Sequence, residues 1–276
     1  MRSRPIAFLV PLLAPLALVA TPSPALVQIG MNPVQDYINK TSLLNNILSN
    51  RRATDMSQQR QGAGASGRAQ SGGAAATEAA NPSAFRHSGA PILPAVLSER
   101  AAAGSARDAS VRFFGSLLDL YTRTARTDGF PEHDLAYALE YYVVNTYMTY
   151  HDLHEVPYDK DPRIKRSADP LERLQLLAEK KALKVSMSQE RAVFNQIRGM
   201  LAANPSIARL SDREKQEATE LLAIMMGVNY STYMRGVETG DDRLLQEARQ
   251  GARQNLERLL GVPVDRIKIG SKGLEQ

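Results

Sequence analysis

Five consecutive residues, His151-Asp152-Leu153-His154-Glu155, carry the densest potential chemistry in the chain. On a helix, His151, His154 and Glu155 fall three and four residues apart and share one face. Two imidazoles and a carboxylate in that array could hold Zn²⁺ and leave a coordination position open for water. The order is not the His-Glu-x-x-His of zinc proteases. A structural reading competes with it: imidazoles in a last helical turn complement the helix dipole before Pro157 ends the helix. His133, flanked by Glu132 and Asp134, lies about 27 Å away along the same helix at 1.5 Å per residue, too far to join His151.

A second constellation is cationic. Lys160, Arg163, Lys165 and Arg166 lead a run that continues through Arg173, Lys180, Lys181 and Lys184, against Asp161, Asp169, Glu172 and Glu179. These residues could touch an anionic surface. The competing reading is a solvated loop and helix face, because acids interrupt the run and no aromatic residue does. Glu140, Asn145 and Asn229 are polar residues in otherwise apolar helices, where polar groups need partners. Tyr137, Tyr141, Tyr142, Tyr147 and Tyr150 surround Glu140 in sequence and predict a structural hydrogen-bond network. No second carboxylate pairs with Glu140 as a glycosidase would require. No phosphate loop, Gly-x-Ser-x-Gly elbow or dinucleotide fingerprint is present, and no cofactor is called for. The sequon at Asn229 is expected to face the core.

The elements that must position these residues are helices. One runs about 106–127 with Val111, Phe114, Leu118, Tyr121 and Ala125 on one face, and Gly129 ends it. Pro131 suits the first turn of the next, about 131–154, which is apolar nearly all round and therefore central. A polar connection follows between Pro157 and Pro162. Asp169-Pro170 starts a short helix to about 184. Ser188 opens one to about 203 with Val193, Ile197 and Met200 inward. Ser211 and Glu214 have capping-box spacing at the start of a long helix, about 212–236. A last helix, about 242–260, carries Leu245, Ala248, Ala252, Leu256 and Leu259 inward. Val264 to Ile269 reads as a short extended end piece. The pattern predicts an all-α bundle of five to six helices, with helices 131–154 and 212–236 at its centre.

The chain has 276 residues, 34 Lys+Arg, 29 Asp+Glu and no Cys, with 43% hydrophobic residues, enough for a core. Absent cysteine excludes disulfides, thiolate metal sites and a cysteine nucleophile. Arg2 and Arg4, the uncharged run Ile6 to Ala20 and Ser23-Pro24-Ala25 form a secretory signal pattern, with cleavage expected near Ala25 and cleavage after Ala20 as the alternative. Cleavage lowers the formal charge from +5 to +3, since residues 1–25 hold two Arg and no acid. So small an excess does not point to nucleic acid. No later stretch is long and apolar enough to span a membrane. Residues 26–50 contain an amphipathic segment with Val34, Ile38, Leu44, Ile47 and Leu48. Residues 51–104 read as a flexible linker, because 61–80 hold eight Ala, five Gly and two Ser. The bundle domain is 105–276.

The C-terminal half contains Arg191-Ala192-Val193, Gln196-Ile197-Arg198 and Ala202-Ala203-Asn204-Pro205. Leu210-Ser211-Asp212, Lys215-Gln216-Glu217-Ala218 and Leu221-Leu222 follow. Gly251-Ala252, Leu259-Leu260-Gly261 and Gly273-Leu274 complete the set. This order resembles an uncharacterised family of exported bacterial proteins, domain of unknown function 6683, over roughly 105–274 and most clearly over 187–274. The charged 157–184 connection is an addition to that pattern. The resemblance implies a bacterial, exported, helical protein and hands over no catalytic or binding residues. Together these readings predict a non-enzymatic interaction or structural module of the cell envelope, periplasmic or extracellular, with an envelope protein as partner. The alternative is a metal-dependent hydrolase built on His151, His154 and Glu155. Contact of the Lys160–Lys184 cations with an anionic surface is a further option.

Overall fold

A computed structural model describes residues 81–101 and 103–275. The signal segment, the 26–50 segment and the linker as far as residue 80 lie outside the described residues. The architecture is all-α. Its helices are α1 (Leu93–Leu97), α2 (Ser105–Asp128), α3 (Leu135–Tyr150), α4 (Pro170–Leu183), α5 (Met187–Ala202), α6 (Pro205–Arg209), α7 (Asp212–Thr239) and α8 (Asp242–Leu260). A two-stranded antiparallel hairpin, β1 (Lys268–Gly270) and β2 (Gly273–Glu275), closes the chain.

Thirteen of the sixteen residues of α3 are buried, so this helix is the hub. It packs most extensively on α7, and also on α8 and α5, while α2 packs on α7 and sets Tyr121 against Tyr137 and Tyr141 of α3. Phe114, Tyr137, Leu221, Leu222, Ile224 and Leu256 form the centre of the core. The helix ends follow local chemistry. Ser211 and Glu214 bond reciprocally at the start of α7. Gly129, Gly240 and Gly261 end α2, α7 and α8 in the left-handed conformation.

Several boundaries differ from the sequence reading. Pro131 does not open α3. Residues 131–134 form a turn, and the Asp134 carboxylate caps the helix by accepting from the Ala136 N–H at 2.8 Å. Ser186, not Ser188, caps α5, with Gln189 completing the box. Met200 is exposed, and Phe194 and Leu201 take inward positions beside Val193 and Ile197. The C-terminal piece is a 3₁₀ turn, Val264–Arg266, followed by the hairpin. That hairpin is held to α5 because Gln196 Nε2 donates to Leu274 O at 3.1 Å and Gln196 Oε1 accepts from Leu274 N at 2.7 Å.

The packed part also begins earlier than composition indicates. Leu93 and Leu97, read as the end of a linker, are buried in the core. Ala84 bridges to Asp134, and Asn81 Nδ2 donates to the Asp134 carboxylate at 2.6 Å. Glu220 of α7 accepts from the N–H groups of Ile92 at 2.8 Å and Leu93 at 2.7 Å, which supplies the cap that α1 lacks in its own sequence.

The α7–α8 corner depends on one close approach. A Cβ on Gly236 would sit 2.9 Å from the Leu245 backbone nitrogen, which cannot swing aside as a side-chain tip could. Gly236→Ala is therefore expected to cost about 1–3 kcal/mol through overpacking, read as a lower urea midpoint at unchanged slope. An unchanged midpoint would mean that α8 rides freely on α7.

Candidate interaction site

The residues singled out as ligands lie where α3 ends, and the chain leaves the helix sooner than expected. Leu153 N donates to Met148 O at 2.8 Å and Asp152 N to Thr149 O at 3.3 Å. These bonds make a Schellman closure with Asp152 at the left-handed position, φ +52°. Asp152 is the only non-glycine with positive φ among the described residues. The helix thus stops at Tyr150, before Pro157 can act, and His151, His154 and Glu155 share no helical face.

The three side chains have separate surroundings. The His151 ring packs on Tyr147 at 4.4 Å and Tyr150 at 4.8 Å, and its Nε2 is buried with no hydrogen-bond partner. Burial lowers its pKa, and the nearby Arg163 charge lowers it further. His154 is buried between Tyr230 and Tyr233. Its Nε2 lies 2.9 Å from Thr149 Oγ1. That hydroxyl donates its own proton to Asn145 O at 3.0 Å, so it accepts from His154 and places the imidazole proton on Nε2. A protonated Nε2 is not a metal ligand. Desolvation, reinforced by the Lys180 charge, holds the His154 pKa down at about 3. Glu155 points outward and pairs with Lys184. Among the described residues, no group of three His, Asp or Glu side chains is arranged to hold a metal ion.

Part of the cationic run is drawn inward, while Lys165 and Arg166 stay exposed. Asp152 is 1% exposed at its side chain and accepts from Arg249 Nε at 2.9 Å and from Arg166. The Tyr233 hydroxyl lies by the same carboxylate without an aligned hydrogen bond. Arg163 is buried, with Nε and Nη1 unpartnered. The Lys165 ammonium lies against Gly240 at the carboxyl end of α7, where the helix dipole favours a cation. Lys160 is half-buried. The connection is therefore only partly solvated: Asp161, Arg163 and Ile164 are buried, whereas Tyr158, Asp159, Lys165 and Arg166 are exposed.

These bonds pin α4 beside the end of α3. Asp169 caps α4 through the Leu171 N–H at 3.0 Å. Lys180 Nζ bonds Asp161 Oδ2 at 2.6 Å and His154 O at 2.7 Å, while Arg173 Nε donates to Ser167 O at 2.8 Å. Yet no residue of α4 is buried. Arg173, Leu176, Leu177 and Lys180 are half-buried on its inner side. The outer side carries Leu171, Leu174, Ala178 and Ala182, all exposed. Leu171 is 64% and Leu174 62% exposed. Among the described residues, five of the seven exposed large apolar ones fall from Tyr158 to Met187, so the exposure there is concentrated rather than scattered.

A family of unknown function, DUF6683, matches residues 9–166 and 183–276. The chain belongs to this family. The DUF6683 match thus takes in the bundle and passes over residues 167–182, which hold all of α4 except Leu183. No curated protein and no solved structure shows a match to this chain. The leucine-bearing helix thus lies almost wholly outside the matched residues.

One feature escaped the sequence reading. A cleft of about 280 Å³ lies between the arm before α1, α2 and α7, lined by Phe85, Leu118, Tyr121, His133 and Thr219 among others. The rings of His87 and His133 stack at its edge, 5.0 Å apart. His87 lies in residues assigned to the linker, so no sequence pattern paired it with His133. The tyrosine network expected around Glu140 is also absent. Tyr121 donates instead to Glu132 O at 3.1 Å, and no hydrogen bond among the described residues reaches the buried Glu140 carboxyl.

Proposed function

We propose that this chain is an exported, non-enzymatic interaction module of the bacterial cell envelope, and that it works by docking a protein partner on the outer face of α4. The observation that carries this reading is a helix without a single buried residue, set outside the family core, with two leucines more than 60% exposed. Such a face is costly to leave in water and marks an interaction site. The residues that could have served a hydrolase are engaged elsewhere: His154 with Thr149, Glu155 with Lys184 and Asp152 with two arginines. An anionic-surface role through Lys160, Arg163, Lys165 and Arg166 is not favoured, because Arg163 is buried and Arg166 pairs with Asp152.

Export rests on Arg2, Arg4, the uncharged Ile6–Ala20 run and Ser23-Pro24-Ala25. No helix among the described residues is long and apolar enough to cross a membrane. N-terminal sequencing of the protein recovered from the envelope fraction is expected to begin at Leu26; an intact Met1 would refute export by cleavage. Docking is tested by placing a photo-crosslinking residue at Leu174 in the producing cell, with exposed Met200 of α5 as the control. Adducts are expected at position 174 and not at 200. No adduct at 174, or equal yields at both, would sink the reading.

A further inference from the structure

We infer that the cleft between the arm before α1, α2 and α7 binds a small organic cation, an ammonium group carried on an apolar body. None of its lining residues belongs to α4, so the inference stands apart from the docking reading. Size sets the first limit. The cleft encloses about 280 Å³. At about 30 Å³ for each water-sized unit, it has room for about nine non-hydrogen atoms. The walls set the second. Phe85, Pro91, Leu118 and Tyr121 give it an apolar and aromatic lining, and the rings of His87 and His133 stack along one edge. Such walls take an apolar body, and aromatic rings attract a cation as well.

Charge decides the class of ligand. Arg126 donates to Glu132 through Nε at 2.8 Å and Nη2 at 3.2 Å, so these two charges cancel. His87 Nδ1 accepts from the Gly89 N–H at 3.0 Å, which a doubly protonated ring does not do. Burial lowers the His133 pKa and leaves that ring uncharged at neutral pH. Two carboxylates remain, Asp119 of α2 and Glu220 of α7, and neither forms an ion pair among the described residues. Glu220 is buried and accepts from Ile92 N, Leu93 N and Gln216 Nε2, neutral donors that leave its charge in place. Asp119 is exposed at the mouth. Arg123 Nε goes to the Asp119 backbone carbonyl at 3.3 Å rather than to the carboxylate. Lys215 is turned to Ala84 O at 3.4 Å and does not line the cleft. Two uncompensated negative charges beside aromatic walls draw in a cation.

Asp119 and Thr122 lie one turn apart on α2 and both line the cleft, so they offer the ammonium a carboxylate and a hydroxyl on one face. The apolar body then rests on Phe85, Leu118 and Tyr121. Other occupants fit less well. An anion would meet both carboxylates, with Arg126 already taken by Glu132. A divalent cation lacks ligands, since among the described residues no three His, Asp or Glu side chains are placed to hold a metal ion. A lysine of a protein partner carries the same ammonium. Its flanking peptide groups exceed the room for about nine atoms and would press unpaired amides on apolar walls.

The chain has four histidines, and two of them, His87 and His133, line the cleft. Their ring-proton resonances report on it, and those of His151 and His154 serve as controls. Phenethylammonium, which fills the room for about nine atoms, is titrated into the purified chain at about pH 7.5. The resonances are assigned through His87→Gln and His133→Gln. Only the His87 and His133 signals are expected to shift, with Kd about 0.1–1 mM for a ligand of this size. Phenethyl alcohol, the same body without the charge, is expected to bind about tenfold more weakly, and hydrocinnamate more weakly still. N-acetyl-lysine methylamide is expected to bind at least about tenfold more weakly than phenethylammonium. Asp119→Asn should weaken phenethylammonium about fivefold, leave phenethyl alcohol unchanged and keep the circular dichroism spectrum of the parent. The proposal is overturned by unmoved His87 and His133 signals up to about 10 mM, by equal binding of the alcohol, or by an unchanged affinity in Asp119→Asn. Equal binding of the lysine derivative also overturns it, because the ammonium would then belong to a polypeptide.

Discussion

Asp152→Ala is expected to cost about 3–5 kcal/mol and to lower the thermal midpoint by about 10 °C. The side chain is 1% exposed and receives two guanidinium groups, from Arg166 and Arg249. Its removal leaves Arg249, whose side chain is 22% exposed, without a counter-charge. An unpaired charge away from water is the expensive case, far more so than the absence of the whole pair. The backbone adds to the loss, because alanine at φ +52° gives up the left-handed tolerance of Asp. Asp152→Asn keeps that tolerance and one acceptor, so it should fall about halfway. Asp152→Gly relieves the backbone but not the charges, and should rank between Asn and Ala. Urea denaturation of the three variants reads the order directly. A loss below about 1 kcal/mol for alanine would put Arg249 in the class of exposed ion pairs that contribute little.

Asp152 also shows what the sequence could and could not disclose. Glycine is the usual residue where a helix closes this way, as Gly129, Gly240 and Gly261 do, and Gly129 is legible as a stop in the sequence. An aspartate at the same position carries no such signal, so the sequence reading carries α3 to about residue 154 and draws a ligand face on residues that are not helical. The reason for Asp at 152 is Arg249, ninety-seven residues away, a pairing that no local spacing encodes. The arm before α1 was missed for a related reason. Its anchors, Leu93 and Leu97, sit among prolines, and the groups that satisfy its backbone belong to Glu220 of α7. The helix α4 was legible from Asp169-Pro170. Its lack of any burying neighbour was not, because periodicity reports an apolar face and not what covers it. By contrast the capping box at Ser211 and the apolar girth of α3 depend on neighbours a turn or two away, and both stand where the pattern put them.

His154→Phe is expected to diverge from the parent chain on the acid side, by about 1.4 kcal/mol for each pH unit below 6.5 and by about 5 kcal/mol at pH 3. The folded chain holds the His154 imidazole neutral down to a pKa of about 3, because burial and Lys180 oppose its charge. The unfolded chain takes up that proton near pH 6.5. Between these values only the unfolded chain is protonated, so stability present above pH 6.5 is lost as pH falls. Carboxyls beside α3 act in the opposite sense. Burial raises Glu140, and the charges of Glu190 and Asp128 add to it. Glu190 itself is raised to about 7, by burial first and then by Asp128. A carboxyl with a raised folded pKa stabilises fully below its unfolded value, and that contribution is lost as pH rises through the folded one. The parent chain therefore gains from its acids and loses from His154 across pH 6.5–4.5, and below 4.5 only the loss continues. Comparing the phenylalanine variant with its parent at each pH cancels the acids and isolates the imidazole. Phenylalanine fits the same slot between Tyr230 and Tyr233. Thr149 keeps its bond to Asn145 O in the variant, so no buried hydroxyl is orphaned at neutral pH. Parallel stability curves for the two proteins from pH 7 to pH 3 would show that the imidazole accepts a proton where it lies. In that case the end of α3 opens to water, and the buried polar corner that anchors α4 is not closed.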